Sequence, residues 1–208
     1  MPAVALRGLT ILPGMIAHFD VSRERSLRAV EEAMEQDQKI YLVTQRNVDS
    51  EDPTQEDLYQ MGIVADIKQV VRLQNDVVRI LVDGISRAAL LGFTGNEKYL
   101  EAEICYCDSN ADSLPEDLRE AMLLGVREAF HRYAAVVGKI SKELIRQIDQ
   151  YEDLEKLIDY VTNNLPVSYE LKQQVLEAED INDRYQVIVS LLLSQVEVIS
   201  IRMSFRKK

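Results

Sequence analysis

The feature that most constrains this chain is a change of apolar period at one polar stretch. Before "DSNADSLPED", residues 108–117, apolar side chains recur at every second position. After it they recur at intervals of three and four. The first spacing lines one face of a strand and the second draws one stripe along a helix. The chain is therefore expected to be α+β. A β-rich domain over residues 1–108, read as a compact, strongly bent sheet or small barrel, is followed by an α-helical bundle over residues 109–208.

In the first part, Ala17, Phe19 and Val21 alternate with His18 and Asp20, the pattern of a half-buried strand. Pro13-Gly14 ahead of it reads as a chain reversal, because proline fixes φ and glycine tolerates a positive one. Ser22 is placed to cap a helix whose buried stripe would be Leu27, Val30 and Met34. "KIYLVTQ" reads as an internal strand, and Gly62 as the end of the polar connection that follows it. Ile63, Ala65, Ile67, Val71 and Leu73 are assigned one face, with Asp66, Lys68 and Arg72 on the other. Asn75-Asp76 supplies a hairpin turn. "VVRILVDG", "RAALLGF" and "YLEAEICYC" complete the strands, with Leu100, Ala102, Ile104 and Tyr106 on a buried side.

In the second part, Ser113-Leu114-Pro115-Glu116 matches a capping box with proline in the first turn. The stripe of the first helix runs through Leu118, Met122, Val126, Ala129, Phe130, Tyr133 and Val137, and Gly138 stands at its C-terminal end. Further helices are expected from Ser141, through Leu154–Leu165 up to Pro166, from Ser168, and finally in a long helix carrying Tyr185, Ile188, Leu192 and Val196. Apolar Val198, Ile201, Met203 and Phe205 near the end suggest that the chain continues or meets a partner there.

The chemistry-bearing residues are sparse. With 24 basic and 35 acidic residues the net charge is −11, which disfavours binding to nucleic acid or to an anionic membrane surface. The basic tail of Arg202, Arg206, Lys207 and Lys208 reads as a helix end or free terminus. No cationic leader precedes an apolar run, and the apolar run near Leu191 is broken by Ser194, Gln195 and Glu197. Two histidines, His18 and His131, cannot build a multi-histidine metal site. Cys105 and Cys107 read as reduced thiols. No phosphate-cradling loop and no nucleophile elbow occur. Asp149, Glu152 and Asp153 lack an apolar pocket to raise a pKa. No catalytic, cofactor-binding or metal-binding residue is therefore expected.

Five blocks stand in a specific order and spacing: "LRGLTILPGM", "VSRERSLRAVEEAMEQDQKIYLVTQR", "DPTQEDLYQMGIVADIKQVVRL", "VVRILVDGISRAAL" and "NNLPVSYELKQQVLEAEDINDRY". Together they resemble the N-terminal domain of the bacterial Lon family of ATP-dependent proteases, over nearly the whole chain. Ala5, Gly8 and His18 depart from the proline, aspartate and proline that many members carry. The resemblance implies a PUA-like β-barrel domain followed by a helical bundle ending in a long helix that leads to an ATPase module. The parent enzyme would be an ATP-dependent serine endopeptidase using ATP and Mg²⁺. It would work in the cytoplasm as a ring of six, degrading misfolded and regulatory proteins. Neither the ATPase nor the protease module lies in these 208 residues, so the expected role is substrate recognition and assembly, with no activity of its own. The alternative is a stand-alone adaptor or scaffold built from this domain alone.

The expected partners are unfolded or misfolded client proteins and further copies of the chain, with neither membrane nor nucleic acid. Met15 and Ile16, beside the Pro-Gly corner, are the candidate apolar patch for clients. The resemblance adds Arg23, Glu24 and Arg25, at a place associated in the family with client contact.

Overall fold

The structure is a computed structural model and describes residues 1–206; Lys207 and Lys208 of the basic tail lie outside the described residues. The chain divides into two compact units, Met1–Asp108 and Ser109–Lys208.

The first unit has strands β1 (Ala3–Leu6), β2 (Ile16–Val21), β3 (Lys39–Thr44), β4 (Met61–Arg72), β5 (Val78–Phe93) and β6 (Ala102–Tyr106), with helix α1 (Glu24–Glu35) between β2 and β3. The sheet runs β1-β3-β4-β5-β2, and β6 pairs with β5. It is open, and the barrel expected from the sequence is not formed. β1 pairs parallel with β3 and its other edge never meets β2. That edge is taken up otherwise: the Ala3 amide donates to the Leu100 carbonyl, one isolated bridge joins Pro2 to Glu101, and Arg23 donates to the Ala5 carbonyl.

Successive residues of β3 serve opposite faces of the sheet. Ile40 and Leu42 join the core that α1 covers, whereas Tyr41 and Val43 join a second core with Ala3, Ala5, Val64 and Leu90. Central strands buried on both sides explain the continuous apolar run.

β5 is one strand of 16 residues where two were expected. Val64 pairs with Ser86 and Ala65 with Gly84, so Ile85 is an extra residue, a bulge. Because side chains alternate with period two, one added residue moves every later side chain to the other face. Ile80 and Val82 thus lie in the first core, and Ala88 and Leu90 in the second. A second bulge, at Lys68, separates the Ile67–Val82 pair from Gln69–Leu81. It puts Val71 opposite Arg79, on the exposed face rather than with Ile67; Leu73 is also exposed. Gly62 lies inside β4 instead of ending a loop. In the predicted buried row of β6, Tyr106 is 53% exposed and only Ala102 is fully buried.

Helix α1 begins one residue later than predicted. Arg23 is its N-cap without any side-chain cap, so Ser22 does not cap it. Its buried face is Ser26, Ala29, Val30 and Ala33, with Met34 exposed. Small residues let the helix lie close on the sheet, which rotates the stripe away from Met34.

In the second unit, α2 (Glu116–Val137) buries Met122, Val126, Phe130 and Tyr133, and ends on Gly138 in the left-handed region. Leu118 is exposed. The capping box is not formed, because residues 111–113 make a turn of 3₁₀ helix in which the Ser113 hydroxyl bonds back to Asn110. Pro115 is the N-cap. Ser141, Asp153 and Ser168 each accept an amide hydrogen at the start of α3 (Lys142–Gln150), α4 (Leu154–Asn163) and α5 (Tyr169–Glu177). The long α6 (Ile181–Arg206) packs against α2, α4 and α5 through a stripe that includes Ile181, Ile188 and Leu192. By length and composition alone α6 could cross a membrane. Its first half instead buries a charged residue, Arg184, against protein.

Candidate functional site

The segment expected to bind clients turns at Pro13-Gly14, where Gly14 has φ +76°. The Gly14 amide donates to the Gly84 carbonyl, and the Gly84 amide to the Met15 carbonyl. Gly84 is needed there, because a Cβ would collide with the Leu12 carbonyl oxygen and with Ile63. The corner is thereby clamped to the middle of β5 and launches β2 along it. Ile16, the first residue of β2, is 68% exposed, whereas Met15 is half-buried against the first core. The two predicted patch residues therefore differ: Ile16 faces solvent and Met15 supports it. Ile85, in the bulge, is also exposed.

The three charged residues that follow are not equivalent. Arg23 reaches back to donate to the Ala5 carbonyl at 2.7 Å and the Glu51 carbonyl at 3.2 Å. Burial, and next the nearby charge of Arg7, hold its guanidinium below the ordinary arginine range. Arg25 bonds to Asp52 and the Asn96 carbonyl, leaving its buried Nε without a partner. Glu24 is exposed and pairs with Arg28 one turn on. Arg23 and Arg25 are thus tied to neighbouring segments of the chain, and Glu24 alone of the three bonds only within its helix.

The sequence did not single out Arg7, which bonds to Gln45 and the Ser50 carbonyl. It lies 16 positions before Arg23, and no local spacing links them. Both line a cavity of about 160 Å³ with Val4, Leu6, Phe19 and Val21. The cavity sits where the sheet fails to close, between β1 and β2.

Other predicted candidates are accounted for locally. His131 bonds to Asp149 at 2.6 Å, and Asp153 caps α4. Neither Cys105 nor Cys107 is in a disulfide. Among the described residues no group of three or more His, Cys, Asp or Glu could hold a metal ion.

Against known proteins, residues 1–194 match the family model of the ATP-dependent protease La (LON) substrate-binding domain. The chain is 35% identical over 208 residues to a Lon protease of Lachnoclostridium phytofermentans, covering all of this chain and 26% of that one. It is 34% identical over 204 residues to a Lon protease of Clostridioides difficile, covering 97% of this chain and 26% of that one. The chain thus spans about a quarter of the length of the relatives it matches. Among solved structures, the N-terminal domain of a Mycobacterium avium complex Lon protease covers 92% of this chain, with 96% of its own length matched. Its TM-score is 0.74 at 18% identity. A Lon N-terminal domain protein from Xanthomonas campestris gives 0.62 at 13% identity, with 91% of this chain and 96% of that one covered. At those identities the structures speak for the fold; the family model and the relatives carry the assignment. This chain belongs to the Lon protease family, as its N-terminal substrate-binding domain.

Proposed function

We propose that the chain captures unfolded client segments for a Lon protease, read here as an ATP-driven serine protease, and helps assemble that enzyme. ATP, Mg²⁺ and peptide hydrolysis belong to the other modules of the parent. A ring of subunits in the cytoplasm is the setting this reading assumes. Residues 1–108 would engage the client, and 109–208 would join it to the rest of the machine.

The observation that carries the reading is Ile16, a large apolar side chain 68% exposed at the start of a strand with one open edge. An edge offers backbone groups and the side chain offers apolar surface, which are the two things an unfolded segment can match. One such contact is weak; several copies in a ring would raise local concentration enough to hold a client.

The test is fluorescence anisotropy with a labelled, reduced and alkylated protein that cannot refold. Binding is expected at about micromolar affinity at best, because a single small patch supplies little surplus over the cost of ordering. Ile16→Ser should weaken it about five-fold, a fraction of the burial energy of an isoleucine. Met15 is left intact because it packs on the core. Equal binding of the native and unfolded forms of that protein would refute the reading.

A further inference from the structure

In a chain of net charge −11, two arginines line one cavity with no carboxylate paired to either. Arg7 and Arg23 each donate to neutral oxygens: Gln45 Oε1 and the Ser50 carbonyl for the first, the Ala5 and Glu51 carbonyls for the second. Among the described residues neither has an ion pair. The acids nearby are already engaged. Asp20 lines the same cavity, but Arg79 holds it through two bonds of 2.7 and 3.1 Å. Asp52 pairs with Arg25, and Glu24 with Arg28. Two like charges side by side are unfavourable unless something anionic joins them. Burial first, and the charge of Arg7 next, hold Arg23 below the ordinary arginine range, with Asp52 opposing them.

The walls restrict what that anion can be. Val4, Leu6 and Val21 belong to the core and Phe19 packs against it, giving one apolar wall, while Ser22, Ser26, Asp20 and the two arginines make the rest of the lining polar. A volume of about 160 Å³ is close to the roughly 150 Å³ of an interior cavity that holds a benzene-sized group. It is well below the roughly 300 Å³ at which sites for whole small molecules begin. It suits one side chain. On one flank β2 pairs with β5 alone and keeps its other edge open, whereas the outer edge of β1 is already taken up by Leu100, Glu101 and Arg23. The Ala5 carbonyl, turned away from β3, is held by an arginine rather than by a strand. An extended segment could lie along the open edge of β2 and point one side chain inward.

We infer that the gap between β1 and β2 is a recognition pocket for a single aspartate or glutamate side chain of an extended client segment, gripped by Arg7 and Arg23. The inference rests on the client-binding reading and sharpens it: apolar contact at Ile16 would tell unfolded from folded, and this pocket would choose among unfolded segments. Arg7 is the residue to perturb, because its side chain is exposed and Arg23 also holds β1.

The probes are two labelled twelve-residue peptides of alternating valine and threonine, one with a central glutamate and one with glutamine there. Anisotropy is measured at low salt with the intact chain, and the alkylated protein serves as the general client. The glutamate peptide should bind about ten-fold more tightly, as expected when a hydrogen-bonded neutral group becomes a charged one. The preference should shrink as salt is added. Arg7→Gln should abolish the preference, so that the glutamate and glutamine peptides bind alike. Equal binding of the two peptides, no binding of either, or a preference that survives Arg7→Gln overturns the pocket assignment. Displacement by millimolar inorganic phosphate that leaves the glutamate and glutamine peptides indistinguishable also overturns it, as a plain anion site. If the alkylated protein still binds in those cases, client capture stands and only the pocket is lost. If it does not bind, the broader reading falls as well.

Discussion

Arg184 offers the sharpest test of how the helical unit is held. It is 3% exposed within α6, and its guanidinium donates to oxygens of three other residues, Ala178, Glu155 and Glu179 among its partners. Nε donates to the Ala178 carbonyl at 2.9 Å, one Nη to Glu155 at 2.9 Å and the other to the Glu179 carbonyl at 3.0 Å. These bonds tie the start of α6 to α4 and to the connection from α5. A hydrogen bond to a charged group is worth about 1.5–3 kcal/mol, but a neutral carbonyl freed near the surface recovers part of that from water. Glu155 is 28% exposed on its side chain, so its contribution is also screened. Arg184→Met, which keeps the packing of the stem, should therefore cost about 3 kcal/mol. Arg184→Lys keeps the charge and loses the fork, and should cost about half as much. Urea unfolding followed by far-UV circular dichroism reads the effect, since five of the six α-helices among the described residues lie in this unit. Hydrogen exchange in α4 and the start of α6 localises it. A loss under about 0.5 kcal/mol for Arg184→Met, or an unchanged Arg184→Lys, would refute the account of a three-way clamp.

Three further outcomes are expected. Gly84→Ala should destabilise the sheet unit by at least about 2 kcal/mol, because the obstacle is the Leu12 backbone and cannot swing away; faster exchange around residues 11–16 checks it. Gly125→Ala should press on the ring of Tyr185, and combining it with Tyr185→Ala should cost less than the sum of the two single losses in urea. The Asp180 carboxyl is held below the usual carboxylate range, chiefly by the Asn182 amide. Its stabilisation is complete above the unfolded-state pKa of about 4 and fades as pH falls through the lower folded value, so the loss from Asp180→Ala should be largest near neutral pH and shrink as the pH is lowered below about 4.

The sites proposed at Ile16 and at Arg7 differ in how far they could be read ahead of the fold. Ile16 follows a Pro-Gly corner and alternates with a buried face, so its exposure follows from local pattern. Arg23 was legible only as a charge near a helix start. That it reaches back to β1 and stands beside Arg7 depends on α1 crossing the sheet, which no period in the sequence encodes. The alternation in β4 and β5 was legible up to each bulge and misleading beyond it. A bulge adds one residue without leaving a mark in composition, yet it inverts every later assignment to core or solvent.

Taken alone, the sequence determined the halves of the chain: the switch from period two to period 3.6 near residue 108, the helix caps at Ser141 and Ser168, the left-handed stop at Gly138, and the turn at Asn75-Asp76. These are local effects of side-chain alternation, capping and backbone freedom, and they need no distant partner. Only the tertiary structure decided that the sheet stays open, that one long strand feeds two cores, and that two arginines 16 residues apart share a cavity. Those features follow from which edges pair and where a register shifts, and such choices are made by packing between segments remote in the chain.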